Sequence, residues 1–141
     1  KGLKNKKIKI NPQYFAEAMS ELIINALKFS RAATNIIVMV YSQNNTLRIS
    51  VINDPQKSSD GTIGIPEEYE KVIFEPFYRI SKLVYERYNT LDFGIGLTFV
   101  EKIVTRHGGE IFAENIIDYS DLTKDPTVKV NLMISLPFVR D

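Results

Sequence analysis

Apolar residues return at helical spacing near the start of the chain, and they alternate or run together in several later segments. From Pro12 to Ser30 they recur every three or four positions, which predicts an amphipathic helix with Asn11 as its N-cap. A second helix is predicted over Leu97–His107, closed by the two glycines that follow it. Stretches rich in β-branched or alternating apolar residues predict strands at Lys7–Ile10, Asn35–Ser42, Leu47–Asn53, Glu110–Asn115 and Val128–Leu136.

The remaining segments connect these elements. Asp54–Thr62 is rich in turn-forming residues and predicts a polar loop, Pro66–Ile73 predicts a short helix, and Pro76–Phe93 has no clean period and predicts a long loop. This order of helices and strand pairs predicts an α+β two-layer sandwich, in which helices cover one face of a mixed, mostly antiparallel sheet. Residues 1–141 are predicted to form a single domain.

Composition narrows the classes of function. The chain is 44% apolar and 25% charged, as in ordinary globular proteins, and its lack of cysteine excludes disulfides and thiolate metal sites. A net charge of +1 attracts neither nucleic acid nor membrane, and no apolar run approaches the roughly 20 residues of a membrane span. We therefore expect neither contact. The lysine-rich start, which lacks an initiator methionine, indicates a linker within a fragment of a longer protein.

One face of the first helix has polar groups suited to a magnesium-bound phosphate. Glu21 and Asn25 are four residues apart and share this face, and Lys28 lies one turn further on. Carboxylate and amide oxygens suit Mg²⁺, and an ammonium group neutralises phosphate. Taken alone, the pattern is more often that of a solvated helix face.

Two more candidate segments lie in the middle of the chain. The strand end at Asn53 leads through a loop to Gly64-Ile65-Pro66, where a glycine lets the backbone approach a ligand closely. A plain surface loop is the alternative. The segment Ile73–Arg79 contains three aromatic residues and an arginine, and it also fits a hydrophobic anchor for a loop.

A glycine-rich segment opens the second predicted helix. Gly94 and Gly96 precede its N-terminus, where free N–H groups and the helix dipole favour an anion such as phosphate. A dinucleotide-binding βαβ unit is excluded, because no strand precedes these glycines. The pair alone is a weak signal.

The four segments, in this order and approximate spacing, resemble the catalytic domain of bacterial sensor histidine kinases, which has the Bergerat fold of the gyrase, heat-shock and mismatch-repair ATPase superfamily. The resemblance covers nearly the whole chain, and Lys28-Phe29 and Phe77-Tyr78-Arg79 favour the histidine kinase branch. The N-box resembles Asn25–Phe29, the G1-box Gly64–Glu68, the F-box Phe74–Arg79 and the G2-box Gly94–Leu97, followed by His107-Gly108-Gly109.

The resemblance implies roles for individual residues. Asn25, with help from Glu21, would hold Mg²⁺ against the ATP phosphates, Lys28 would contact phosphate, and the ring of Phe29 would lie along the adenine or ribose. Residues Phe74–Asp92 would form an ATP lid. The ATP-binding residues implied in this way are Asn25, Lys28, Phe29, Asn53, Asp60, Gly64, Ile65, Phe77, Arg79, Gly94, Ile95, Gly96, Leu97 and Thr98.

The group that contacts the adenine departs from the family pattern, in which an aspartate directly follows the strand. The register of the strand favours Asn53 at this position, because a strand end fixes depth in the pocket better than a loop does. Counting back from Gly64 favours Asp60 instead, and Asp54 is a further alternative. An Asn carbonyl can still accept from the adenine amine, through a weaker, charge-free bond.

Four more features depart from the family pattern and bear on function. Glu21 stands where many histidine kinases have asparagine, and in the hydrolytic branches a glutamate here acts as a general base toward water. Asp92 stands where the first G2-box glycine is expected, and a carboxylate there would repel the triphosphate. Thr62 replaces a glycine, and an insertion of about six residues around Pro55–Ser59 could crowd the pocket rim.

The resemblance predicts a kinase domain that binds Mg·ATP and donates the γ-phosphoryl group to a histidine on a separate dimerisation domain, with a response regulator as final acceptor. The domain is expected in the cytoplasm, and alone it should not autophosphorylate, because His107, its one histidine, is predicted to cap its helix. The alternatives are a degenerate regulatory module with weak or no nucleotide binding, a hydrolytic ATPase using Glu21, and a serine kinase of the anti-sigma type.

Overall fold

The computed structural model describes residues 2–57, 61, 63–65 and 96–140, and the account that follows concerns these residues. They form two helices and four strands in the order helix, two strands, helix, two strands. The elements are α1 (Pro12–Phe29), β1 (Ile37–Gln43), β2 (Thr46–Asn53), α2 (Gly96–Arg106), β3 (Glu110–Asp118) and β4 (Thr127–Pro137).

Helix α1 begins and ends as its sequence predicts. The Asn11 side chain accepts hydrogen bonds from the backbone N–H groups of Gln13 and Tyr14, each at 3.1 Å, so it satisfies two donors that the first turn leaves free. The helix ends at Ser30, whose backbone is extended and whose hydroxyl donates to the Ala26 carbonyl at 2.5 Å. The residues it buries most fully are spaced four apart, at Ala18, Leu22 and Ala26.

Strands β1 and β2 form a hairpin with a two-residue loop. Gln43 pairs with Thr46, and Asn44 and Asn45 between them have φ angles of 51° and 59°. A type I′ turn requires positive φ at both loop positions, and asparagine tolerates this conformation better than most residues. The turn fixes the register and thereby decides which face of the sheet each β2 side chain takes.

The sheet has the order β1-β2-β4-β3, and every described pairing is antiparallel. On one face, Ile49 and Val51 of β2 lie opposite Ile134 and Leu132 of β4, and Leu132 lies opposite Ala113 of β3. These side chains form a single core with both helices. The predicted α+β two-layer sandwich is therefore confirmed.

The end of α2 depends on two glycines. Gly108 has a φ of 74°, the left-handed conformation that commonly ends a helix, and the Gly109 N–H donates to the Val104 carbonyl at 2.9 Å. A Cβ at Gly109 would collide with the Ser135 carbonyl and lie 2.8 Å from the Leu136 side chain. Close contact between the helix end and β4 therefore requires glycine at this position.

The structure corrects one predicted strand and moves several boundaries. Lys7–Ile10 is not a strand, because only the Lys7 carbonyl has a described partner, the Val139 N–H at 2.7 Å, and no ladder develops. Strand β3 runs to Asp118, three residues beyond the prediction. None of the described helices is long and apolar enough to cross a membrane. The helix predicted at Pro66–Ile73 and the lid predicted at Phe74–Asp92 lie outside the described residues.

Candidate functional site

The C-terminal end of α1 is tied to the chain that leaves β2. The Gln56 backbone N–H donates to the Phe29 carbonyl, and its side-chain amide donates to the Ser30 carbonyl, both at 2.8 Å. Arg31 N–H donates to the Asp54 carbonyl, also at 2.8 Å. These bonds hold the end of α1, which contains the segment that resembles the N-box, beside the end of β2. The resemblance predicts that both elements contribute to one nucleotide pocket.

Asn53 occupies the end of β2 on the helix-covered face. By strand alternation it shares this face with Ile49 and Val51, and its residue exposure is only 3%. Its side-chain Nδ2 has no hydrogen-bond partner among the described residues. A buried donor left unpaired costs about 1–3 kcal/mol, so a ligand acceptor at this point would remove a real penalty.

Asp54, the next residue, takes part in an ion-pair cluster with two other strands. Its carboxylate lies 3.3 Å from Lys129 Nζ, and the same ammonium lies 3.4 Å from the Asp118 carboxylate. Lys129 is in register with Ile116 and therefore lies on the face of the sheet away from the helices. The Asp54 carboxylate is thus paired with the Lys129 ammonium. Asn53 is therefore the better placed of the two residues for contact with a nucleobase.

The Asp118 carboxylate is stabilised in its ionised form. Its oxygen accepts a hydrogen bond from the Ser120 backbone N–H at 2.8 Å. Hydrogen bonds from Ser120, together with the Lys129 ammonium, hold the pKa of the Asp118 carboxyl below its ordinary value. The Asp118 carboxylate therefore faces the Lys129 ammonium in its ionised form.

Asn115 on β3 holds the G1-box turn in place. Its Oδ1 accepts from the Ile65 N–H at 2.9 Å, and its Nδ2 donates to the Ile65 carbonyl at 2.5 Å, so one side chain satisfies both backbone groups of that residue. Gly64 has a φ of 84°, and a Cβ there would collide with Asn115 Oδ1. The predicted Gly64 therefore meets two requirements, a left-handed backbone and close approach to Asn115.

Sequence reasoning did not select Asn115. A signal was present, since Ile111 and Ala113 alternate toward the core and Asn115 continues that face with a polar residue. Its partner, however, lies 50 residues away in the sequence. Only the fold brings the two together.

Asn53 and Asn115 belong to one row across the sheet. Asn53 pairs with Val130 on β4, and Val130 pairs with Asn115 on β3. Directly paired residues share a face, and neighbouring strands lie about 4.8 Å apart, so the two asparagines are separated by about 10 Å. The row therefore has an asparagine at each end and the buried Val130 between them.

A bridge joins two described parts of the loop that follows β2. Lys57 and Ile63 form an antiparallel bridge, which closes the excursion before the chain reaches Gly64. Ile65 is 5% exposed and belongs to the core, so the turn reaches its place against Asn115 despite the insertion. The predicted site residue Asp60 and the departure at Thr62 lie outside the described residues.

The polar face of α1 has the expected composition. Glu21, Asn25, Lys28 and Phe29 are all partly buried. Oxygen donors from one carboxylate and one amide fit Mg²⁺, which usually takes one or two protein ligands and completes its shell with phosphate and water oxygens. The described residues include no group of three or more histidine, aspartate or glutamate side chains that could hold a metal ion.

Helix α2 presents the end of the G2-box. It begins at Gly96, Leu97 packs against the core, and Thr98 is partly buried in the first turn. Its N-terminal N–H groups and dipole favour an anion. The predicted site residues Gly94, Ile95, Phe77 and Arg79, with Asp92, lie outside the described residues.

His107 links the two helices. Its Nδ1 lies 2.7 Å from the Ile103 carbonyl, and its Nε2 accepts from the Asn11 backbone N–H at 2.9 Å. This arrangement requires a neutral ring with the proton on Nδ1. Both ring nitrogens are therefore engaged, which agrees with the prediction that His107 serves its helix end.

Comparison with known proteins gives a family and a fold. The sequence profile of the histidine kinase-, DNA gyrase B-, and HSP90-like ATPase family matches residues 10–138. The sensor protein RprX of Bacteroides fragilis is 27% identical over 137 residues, which is 93% of this chain and 23% of RprX. The histidine-protein kinase ArlS of Staphylococcus aureus is 31% identical over 127 residues, which is 90% of this chain and 25% of ArlS.

A solved structure extends the likeness to three dimensions. The mycobacterial sensor histidine kinase MprB superposes with a TM-score of 0.69 at 21% identity, over 96% of this chain and 78% of that chain. At this identity the likeness concerns the fold. The chain spans about a quarter of the curated relatives it matches, so those proteins contain more than this domain.

Proposed function

Because the chain belongs to the histidine kinase-, DNA gyrase B-, and HSP90-like ATPase family and is a catalytic domain of the histidine kinase type, we propose that it binds Mg·ATP and phosphorylates a histidine. The acceptor histidine lies on a separate dimerisation domain. A receiver aspartate on a response regulator then takes the phosphoryl group. The relatives, a sensor protein and a signal transduction histidine-protein kinase, support both partners.

The observation that best supports nucleotide binding is the buried, unpaired Nδ2 of Asn53. It lies on the helix-covered face at the end of β2, next to the end of α1 and in one row with Asn115. Stable domains rarely leave buried donors unpaired without a functional reason. A nucleobase at this position supplies the missing acceptor.

The remaining groups suit the phosphates and the metal. Asn25 and Glu21 provide oxygen ligands for Mg²⁺, which when bound neutralises charge on the phosphate oxygens. Lys28 lies one turn beyond Asn25, and an ammonium there attracts phosphate. The N-terminus of α2 attracts the same group through its dipole. We keep Asp60, Phe77, Arg79, Gly94 and Ile95 as predicted ATP contacts on the resemblance alone.

Phosphoryl transfer by this domain needs positioning and charge neutralisation, and little covalent chemistry. The nucleophile is a histidine nitrogen with a free lone pair. His107 does not offer one, because its Nε2 accepts from Asn11 and its Nδ1 is engaged by Ile103. The chain alone is therefore expected to bind ATP without labelling itself.

Titration calorimetry with a non-hydrolysable ATP analogue, with and without Mg²⁺, tests the proposal. We expect micromolar binding that Mg²⁺ strengthens, and Asn25→Ala should weaken it by at least about tenfold, since a lost ligand costs more than about 1.4 kcal/mol. Ser20→Ala is the matched control, because Ser20 is an exposed polar residue on the same helix. A folded protein that gives no heat at millimolar analogue would contradict nucleotide binding and favour the degenerate module.

Glu21 supports a second activity worth measuring. It shares a helix face with Asn25, so a water molecule near the γ-phosphate would lie within reach of a carboxylate base. Phosphate release by the chain without any histidine partner, abolished by Glu21→Gln, would indicate a hydrolytic ATPase. Transfer to an added dimerisation domain with Glu21→Gln still active would favour the kinase.

A further inference from the structure

The side chain at the base-reading position offers a donor where an aspartate would offer only acceptors. Asn53 is 3% exposed, and its Nδ2 has no partner among the described residues. Asp54, the adjacent carboxylate, is held by Lys129 at 3.3 Å and does not replace it. The hydrogen-bonding character of this part of the pocket is therefore that of an amide.

Other buried polar atoms without partners do not compete with Asn53 for this role. Arg48 Nε and Asn131 Oδ1 are also unpaired, but each of these side chains is bonded through another atom. Arg48 Nη1 lies 3.8 Å from the Met133 sulfur, and Asn131 Nδ2 donates to Glu114 at 3.1 Å. Both residues also lie on the face of the sheet that the helices do not cover.

An amide and a carboxylate impose different demands on a purine. A carboxylate accepts only, so it favours the 6-amino group of adenine and repels the 6-oxo group of hypoxanthine or guanine. An amide has an acceptor end and a donor end. With Oδ1 toward the base edge it accepts from a 6-amino group, and with Nδ2 in that place it donates to a 6-oxo group.

From this geometry we propose that the pocket binds 6-oxopurine nucleotides as well as adenine nucleotides, with Asn53 as the residue that determines purine specificity. The proposal rests on the proposed function, since it assumes that the nucleobase lies at the end of β2. The buried Nδ2 has a 6-oxo oxygen as a matching acceptor. A carboxylate at the same position would remove that match and restore preference for adenine.

Competition binding of ADP and inosine diphosphate in the presence of Mg²⁺ tests the proposal. Inosine diphosphate differs from ADP only at the 6-position of the base and in the proton on N1. We expect the wild-type chain to bind the two within about tenfold, and Asn53→Asp to shift the ratio toward ADP by about 10–100-fold, the discrimination that a paired base contact provides. Asn35→Asp, an exposed residue before β1, makes the same change of charge as a control.

The possible outcomes distinguish a failure of the purine-specificity inference from a failure of the proposed nucleotide-binding function. Inosine diphosphate bound more than about tenfold more weakly than ADP by the wild-type chain would overturn the inference and leave nucleotide binding intact. The same holds for a ratio that a folded Asn53→Asp variant leaves unchanged. If folded wild-type protein binds neither nucleotide, the proposed function fails and the inference fails with it. Since the wild-type ratio decides alone, the test survives a variant that does not fold.

Discussion

Asn53 and Asp54 are neighbours at the end of β2, yet they belong to different parts of the molecule. Asn53 faces the helices, nearly sealed from solvent, with an unpaired donor. Asp54 joins Lys129 and Asp118 in a cluster in which each carboxylate lies within 3.4 Å of the ammonium. The Asp54 carboxylate therefore has a partner in the protein, whereas the Nδ2 of the adjacent Asn53 has none among the described residues.

The difference indicates which of the two residues has a structural role. The Lys129 cluster joins the end of β2 to β4 and β3 and satisfies its own charges, so it needs no ligand. The Nδ2 of Asn53 has no partner among the described residues, so we expect it to cost stability in the free protein and to gain a partner when a ligand binds. If this contrast is correct, substitutions at the two sites should affect different measurements.

The largest effect is expected from Asn53→Leu, which keeps the branching and the number of side-chain heavy atoms and removes the polar ones. Nucleotide affinity should fall by about 5–150-fold, which corresponds to the loss of about 1–3 kcal/mol of binding free energy from one base contact. The free energy of unfolding should stay the same or rise, because an unpaired buried donor is removed. Calorimetry with the ATP analogue and urea denaturation check the two halves. A variant that lost stability and kept its affinity would reverse the contrast.

Lys129→Met should show the opposite pattern. It leaves the carboxylates of Asp54 and Asp118 together without their cation, and the three side chains are only 13–27% exposed. Breaking a pair at this depth should lower the free energy of unfolding by about 1–3 kcal/mol, between the values for surface and fully buried pairs. Nucleotide affinity should change by less than about twofold, within the ±0.5 kcal/mol of a change remote from the site. Lys124→Met is the control, because its ion pair with Asp121 is well exposed.

Asn115→Ala should affect both measurements, since both polar atoms of the Asn115 side chain bond Ile65 and support the turn. Two hydrogen bonds to Ile65 are lost, which should cost about 1–3 kcal/mol of stability. Nucleotide affinity should fall by about tenfold, as expected when the loss of a positioning side chain reduces the binding free energy by about 1–2 kcal/mol. The discriminating measurement is the ratio of ADP to inosine diphosphate affinity, which should not change, because the polar atoms of Asn115 are already bonded to Ile65. A changed ratio would place Asn115 in the base contact.

Local chemistry made most of the frame predictable from sequence. Asn11 before Pro12, and apolar residues at helical spacing after it, define α1 within one residue of its observed end. The strand that ends at Asn53 was predicted, and its alternation placed that side chain on the covered face. The Lys7–Ile10 strand was wrong because an alternating pattern does not specify a partner, and only the Lys7 carbonyl found one.

The groups that sequence reasoning missed are those whose partners lie far away in the chain. Lys129 meets Asp54 across 75 residues, and Asn115 meets Ile65 across 50. Local sequence does not identify either partner, because each contact depends on strand order and register that only the folded sheet fixes. The sequence offered Asn53, Asp54 and Asp60 for the base contact and favoured Asn53 by strand register. The ion pair between Lys129 and Asp54 adds support for Asn53 over Asp54.

The smallest expected effect concerns pH and tests whether the Lys129 cluster stabilises the fold through its charges. The hydrogen bonds from Ser120 and the Lys129 ammonium lower the pKa of Asp118 relative to an ordinary value of 3.8, so the folded state favours the ionised carboxyl. That contribution is fully present above pH 3.8 and is lost as the pH falls through the lowered pKa. The difference in unfolding free energy between wild type and Asp118→Asn should therefore shrink as urea titrations move from pH 6 toward acid. When Lys129→Met is present in both proteins, the difference in unfolding free energy should be smaller at every pH, because the Lys129 ammonium no longer helps to lower the pKa of Asp118. A difference that stays constant with pH would show that Asp118 acts through hydrogen bonds that its charge does not strengthen.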